Sequence, residues 1–161
     1  MIKHMRIDSR LIHGQVAAAW MNHIGAKEII VCNDAVAQDR IQKMALPLAA
    51  RGTPVKVFSI QETIDYANAH KDETLFVICK FPSDALALVE SGLEIGEFNV
   101  GTAAPVQGTT YKMVTKTIAA TKEDAQIYAK LADHFGKVTS RITPANEEVD
   151  VIAGLKKEGL L

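Results

Sequence analysis

Short, almost wholly apolar runs rich in β-branched residues recur along this chain, and a longer stretch with helical spacing lies between each pair. The runs occupy residues 2–7 (IKHMRI), 27–33 (KEIIVCN), 54–59 (PVKVFS) and 74–80 (TLFVICK), and residues 14–25, 34–52 and 60–70 between them carry apolar side chains three and four apart. That alternation is the strongest constraint on the fold. Parallel strands joined by helices close through right-handed crossovers, so the pattern predicts an α/β domain, doubly wound and Rossmann-like. Its mostly parallel central sheet is expected to carry helices on both faces. The near-continuous hydrophobicity of TLFVICK suits a strand covered on both sides.

The same rhythm continues to the end of the chain. Residues 82–92 read as a helix begun by Pro82 and Ser83, and 96–101 as a fifth strand running into the Gly-, Pro- and Thr-bearing loop 102–110. Residues 112–120 and 137–142 read as strands, 122–136 as a helix started by Thr121 with Asp124, and 145–159 as a closing helix. Asp34 is the expected N-cap of the 34–52 helix, in which Pro47 should kink or end the regular part early. Ser59 with Glu62 predicts a capping box. A length of 161 residues without linker, repeat or low-complexity tract predicts one domain, residues 1–161.

Composition narrows the function classes. Eighteen Lys and Arg stand against nineteen Asp and Glu, for a formal net charge of −1. That balance supplies no broad basic face for nucleic acid. No apolar run is long enough for a membrane-spanning helix, and the start MIKHMRID lacks the apolar region of a secretory signal. Cys32 and Cys79 fall inside strand runs, as small buried hydrophobes of a reducing compartment. The expected location is therefore cytoplasmic.

In parallel α/β sheets ligands bind beyond the carboxyl ends of the strands, so the loop after a central first strand is the favoured place for chemistry. Here that loop reads RIDSRLIHGQV, residues 6–16. His13 follows Leu11 and Ile12, which can pack inward, and precedes Gly14, whose missing Cβ permits close approach. A helix starting near Gly14 or Gln15 points unpaired N–H groups and its positive dipole end at an anion beside His13. Arg10 adds a planar fork suited to phosphate oxygens. Taken together these are the parts of a phosphohistidine loop. By spacing alone, however, a capping or partly buried structural histidine is the commoner outcome. Glycine-rich nucleotide loops, zincin spacing and paired-cysteine motifs are absent. The remaining histidines have structural readings: His4 lies inside the first strand, and His23, His70 and His134 lie near helix ends, where an imidazolium suits the dipole. Trp20 reads as core or interface, and Asp34 and Asp39 as caps of the second helix. No metal site is expected.

RIDSRLIHGQV resembles the active-site motif of the IIB components of the mannose/fructose/sorbose family of the sugar phosphotransferase system (PTS), matching at every fixed position of R-[IV]-D-x-R-L-I-H-G-Q-V. Similar text recurs in IIVCNDAVAQD, VICKFPSDALALVESG and FNVGTAAPVQGTTYKMVTKTIAATKEDA. The resemblance implies a phosphotransferase that needs no nucleotide or bound cofactor. It would take a phosphoryl group from the phosphohistidine of a IIA protein or domain and pass it to a sugar entering through membrane IIC and IID components. It makes His13 the phosphorylated residue, through Nδ1. Arg10 and the backbone of Gly14 and Gln15 become phosphate contacts, and Asp8 a supporting residue that orients Arg10 or the loop. A homo-oligomer is compatible with it. The family commonly places a methionine soon after the glycine of NVG, whereas this chain reads Gly101-Thr102-Ala103, which points to a differently shaped loop. The VICK and NVG wording leans towards relatives that handle amino sugars of the galactosamine type. A competing reading on the same fold is a non-catalytic, regulatory module that senses sugar phosphates.

Overall fold

The computed structural model describes all residues, 1–161. Its core is a seven-stranded sheet in the order β3-β2-β4-β1-β5-β8-β9. The strands are β1 (Ile2–Ile7), β2 (Glu28–Cys32), β3 (Val55–Phe58), β4 (Leu75–Cys79), β5 (Ile95–Val100), β8 (Thr139–Ser140) and β9 (Val149–Asp150). All neighbours are parallel except β9, which runs against β8. Helices α1 (Gly14–Ile24), α2 (Asp34–Gln38) and α3 (Arg40–Ala49) lie on one face. The other face carries α4 (Ile60–Ala69), α5 (Pro82–Glu90), α6 (Lys122–Phe135) and α7 (Val151–Lys157). The doubly wound α/β architecture is thus as the alternation predicts. From β1 the chain winds outward to β2 and β3, and from β3 it returns past β1 to β5. The carboxyl end of β1 is therefore the point where winding reverses.

Strands β2 and β4 are buried along their whole length, which explains why they read as unbroken apolar runs. Cys32 and Cys79 are cross-strand neighbours there, both free and buried. Caps fix the helix starts: Ser59–Glu62 and Thr121–Asp124 both form capping boxes, and Pro82 occupies the first turn of α5.

Four expectations need correcting. Residues 34–52 are not one helix. The chain turns extended at Asp39 (φ −88°, ψ 107°), and the Asp39 carboxylate accepts the Ile41 and Gln42 N–H groups to start α3 afresh. The N-cap of α2 is Asn33, whose side chain accepts the Val36 N–H, whereas Asp34 reaches across to the Ile60 N–H. Pro47, by contrast, sits where expected relative to the helix end: it occupies the last turn of α3, which stops at Ala49 rather than running to residue 52. Residues 112–120 form no strand of the main sheet but a small antiparallel pair, β6 (Lys112–Met113) and β7 (Ala119–Ala120), because the polar stretch between them turns back on itself. The closing helix begins only at Val151, behind Asp150 as its cap, and the preceding residues pair as β9.

Trp20 ties α1 to the far side of the sheet. Its ring is almost fully buried, and its Nε1–H donates to the Ile142 carbonyl just after β8 at 2.8 Å. Replacing Trp20 by Phe keeps most of the packing and removes that donor. It should lower stability by about 1–3 kcal/mol, measured by urea unfolding with the helical signal as readout.

Candidate functional site

One face of β1 is polar inside the protein. His4, Arg6 and Asp8 alternate along it and are all buried. Arg6 is the centre of this row. Nη1 donates to the Arg141 carbonyl at 2.9 Å and Nη2 to the Ile142 carbonyl at 3.0 Å, while Asp8 Oδ2 lies 3.3 Å from Nη2 and the indole of Trp20 stacks 4.8 Å away. Burial pulls the Arg6 pKa down to about 10, against the opposing pull of Asp8, so the group is charged at neutral pH.

Above it the chain leaves β1 in a tight turn. The Leu11 N–H donates to the Asp8 carbonyl at 3.0 Å, and the Arg10 N–H donates to Asp8 Oδ1 at 3.1 Å, an Asx-type turn. Leu11 adopts a left-handed conformation at φ 61°. The cost of about 1–3 kcal/mol is offset because its side chain, with Ile12, is anchored in the apolar cluster beneath α1. Asp8 Oδ1 also lies 3.7 Å from Arg10 Nε, and the Arg10 guanidinium projects into solvent. Asp8 thus contacts both the loop backbone, through the Arg10 N–H, and the Arg10 side chain.

His13 occupies the N-cap of α1 in an extended conformation, yet its side chain makes no capping hydrogen bond. The commonest structural role for such a histidine is thus not the one it fills. Nε2 is shut away from solvent without a partner, whereas Nδ1 remains accessible and unbonded. Gly14 follows at φ 41°, a left-handed position that favours glycine. The N–H groups of Gly14 and Gln15 have no acceptor within the protein, and the Gln15 side chain is exposed. The ring, two free helix N–H donors and the Arg10 fork thus share one rim. Partial burial, then the Arg10 guanidinium and more weakly Arg6, lower the His13 pKa, with Asp8 opposing. The imidazole is neutral where an ordinary histidine would already be partly charged.

The loop after β5 closes the other side. The Ser9 N–H donates to the Thr102 carbonyl, the Ala104 N–H to Ser9 Oγ, and the Gly101 N–H to the Ile7 carbonyl, so residues 101–104 are stitched to the turn below His13. The departure at Thr102-Ala103 therefore borders the site. A Cβ on Gly101 would stand 2.1 Å from Arg6 Nη2 and 2.6 Å from Asp8 Oδ2, which no side chain can meet. Beyond it, a hollow of about 390 Å³ lies among Arg10, Thr102, Pro105, Met113, Lys116 and Ile142.

The other histidines stay apart from His13. His4 stacks on Trp20 and Phe76, with Nε2 2.9 Å from Asn99 Oδ1. His23 lies in the last turn of α1 against Trp20, His70 caps the end of α4, and His134 is in the last turn of α6. No group of three His, Cys, Asp or Glu side chains converges as a set of metal ligands. Sequence reading passed over Arg6 and the constraint on Gly101. The signal for Arg6 was present, since polar residues two apart in a central strand must share a buried face.

Comparison with known proteins supplies the context. The family described as PTS system sorbose subfamily IIB component matches residues 2–161. The sorbose-specific EIIB component of Klebsiella pneumoniae is 34% identical over 150 residues, covering 91% of this chain and 90% of that one. The mannose-specific EIIAB component of Escherichia coli is 36% identical over 129 residues, covering 78% of this chain and 39% of that longer one. The crystal structure of the IIBSor domain of the Klebsiella pneumoniae sorbose permease superposes with a TM-score of 0.88 at 32% identity, covering 98% of this chain and 97% of that one.

Two measurements test this geometry. Gly101→Ala should force Arg6 and Asp8 apart and cost about 2 kcal/mol or more in denaturant unfolding. In proton NMR the His13 ring should titrate below the ordinary value of about 6.5. Arg10→Ala should raise that midpoint only partway, because burial is the larger cause.

Proposed function

The chain belongs to the sorbose subfamily of phosphotransferase-system IIB components, which are phosphotransferases, and from that premise we propose that His13 carries the phosphoryl group in transit between a IIA donor and a sugar. In the first half-reaction the lone pair on Nδ1 attacks phosphorus in line. The Nδ1–P bond forms as the donor histidine's N–P bond breaks, and that electron pair stays on the donor ring. In the second, a sugar hydroxyl oxygen attacks phosphorus, the Nδ1–P bond breaks back onto His13, and the displaced hydroxyl proton passes to water. The acceptor sugar enters through membrane IIC and IID components, and no helix of this chain is itself long and apolar enough to cross a membrane.

One observation carries the reading. The accessible Nδ1 of a neutral-biased ring faces the same rim as two unsatisfied helix N–H groups and a guanidinium oriented by Asp8. The Arg10 fork grips two equatorial oxygens of the phosphoryl group, and the Gly14 and Gln15 N–H groups take the remaining charge. These donors stand in place before phosphate arrives, so little reorganisation is needed in the transition state.

Incubation with phosphoenolpyruvate, the general phosphotransferase proteins and a matching IIA should yield an acid-labile, base-stable phosphoadduct. His13→Ala should abolish it, and label retained at the wild-type rate would reject the assignment. Arg10→Lys should slow transfer by about tenfold or more, because an ammonium keeps the charge and loses the fork. The pH dependence follows from the sign of the His13 shift: the folded-state pKa is lowered, so the reactive neutral ring persists as pH falls below 6.5 and is lost only through the lower value. A labelling rate already halved, as the pH is lowered, by the time it reaches 6.5 contradicts this.

A further inference from the structure

The outer face of α3 displays large apolar side chains to solvent. Ile41, Met44 and Leu48 stand three and four residues apart on one helical stripe and are 80%, 75% and 80% exposed. No residue of α3 is buried. The helix meets the body through Leu46 and Ala49, which pack on the cluster containing Leu11 and Ile12. The stripe thus stands over the same apolar cluster that anchors Leu11 and Ile12.

The carboxyl end of α3 approaches the candidate site, while its cap, Asp39, feels the charge of Lys80 after β4. Past its other end the Arg51 side chain extends to α1, with Nη2 4.0 Å from where a Cβ on Gly14 would stand. Arg40, Lys43 and Arg51 form no ion pair. Asp34 and Asp39, on the segment leading into α3, are held by backbone, Asp34 by the Ile60 N–H and Asp39 by the Ile41 and Gln42 N–H groups. An apolar stripe with a free basic border therefore leads directly to Gly14.

We propose that this stripe is the docking face for the phosphoryl-donor protein, a soluble phosphohistidine carrier whose contact surface is apolar at its centre and acidic at its rim. The inference rests on the reading of His13 given above. In-line transfer between two imidazoles requires two folded surfaces to meet beside His13, and α3 carries the most exposed large apolar side chains of the chain, with Arg51 beyond its end reaching Gly14. Charge selects among occupants. Cytoplasmic loops of membrane proteins carry an excess of Lys and Arg, which would repel Arg40, Lys43 and Arg51. A second copy stacked α3 against α3 would set the same cations against each other. An acidic carrier meets neither objection. Arg51 then spans the boundary between docking surface and chemistry, close enough to Gly14 to engage an incoming phosphoryl oxygen while still bound to the donor.

The decisive comparison uses two phosphoryl donors on one protein. Ile41→Glu and Leu48→Glu, at solvent-exposed positions, should raise KM for phosphorylated IIA by about tenfold or more and leave kcat at saturation within about twofold. Labelling of His13 by phosphoramidate, a donor too small to need docking, should keep the wild-type rate in both variants. An unchanged KM overturns the proposal, and so does an equal loss with phosphoramidate, which would make the stripe a support for the site. A concentration-dependent dimer in sedimentation that Leu48→Glu abolishes overturns it in favour of a second copy. A defect confined to sugar phosphorylation in vesicles carrying the membrane components overturns it in favour of those components. Wild-type protein unlabelled by either donor would instead reject the reading of His13 itself, and the docking face with it.

Discussion

A guanidinium buried in the central strand holds the candidate site in shape. Arg6 is only 1% exposed, and its Nη groups donate to the Arg141 and Ile142 carbonyls and to Asp8, itself 1% exposed. A buried charge is tolerable only when it is paired and its hydrogen bonds are made, and removing one partner of such a pair costs about 3–5 kcal/mol. Each surrounding feature follows from that requirement. Asp8 must point inward, so only its other oxygen is left to organise the turn and Arg10. The chain after β5 must pass without a Cβ, so residue 101 is glycine. The segment after β8 must bring its carbonyls down onto the guanidinium, which draws the short β8–β9 arm against α1, where Trp20 adds a second tie to Ile142.

The site therefore combines a stiff base with a loose rim. Leu11 and Ile12 are locked in the apolar cluster and fix where α1 starts. The Arg10 guanidinium, by contrast, keeps a long 3.7 Å contact to Asp8 and extends into solvent. A carrier that must receive a group from one protein and surrender it to another needs this division. In the proposed role of His13, the nucleophile is placed by the rigid part, while the fork can follow phosphorus as it arrives and departs.

Much of this was legible in the sequence, and the legible parts have a common cause. Periodicity of two and of about 3.6 residues, with the caps at Ser59 and Thr121, reports local rules, and those elements stand where the pattern puts them. Asp39 escaped because a single cap inside an otherwise helical run splits the helix without altering its apolar spacing. The pairings of β6 with β7 and of β8 with β9 escaped because two-residue strands are too short to show an alternation of their own. The residue types at the rim were readable, since Arg10, His13 and Gly14 fall in one short stretch. Their support was not. Arg6 gains its meaning from carbonyls more than a hundred residues away, and Arg51 lies beside Gly14 only through the tertiary packing of the segment after α3.

Under the role proposed for His13, the electrostatics of the rim serve both the free and the phosphorylated ring with one arrangement of charge. In the free protein, burial first and then the Arg10 guanidinium oppose protonation of the ring, which keeps the lone pair available. Once phosphorus is attached, the added charge is negative and sits outside the ring, on oxygens that face Arg10 and the free N–H groups of Gly14 and Gln15. Cations that repel an imidazolium attract a phosphoryl dianion, so the field that tunes the nucleophile also stabilises its product. Burying the ring further would suppress protonation more but would close Nδ1 to both partners. Placing it fully in water would restore an ordinary pKa and weaken every contact to the phosphoryl group. Half-burial with an outward Nδ1 is the arrangement that meets both demands, and it leaves protection of the phosphoryl group from water to whichever surface docks over it.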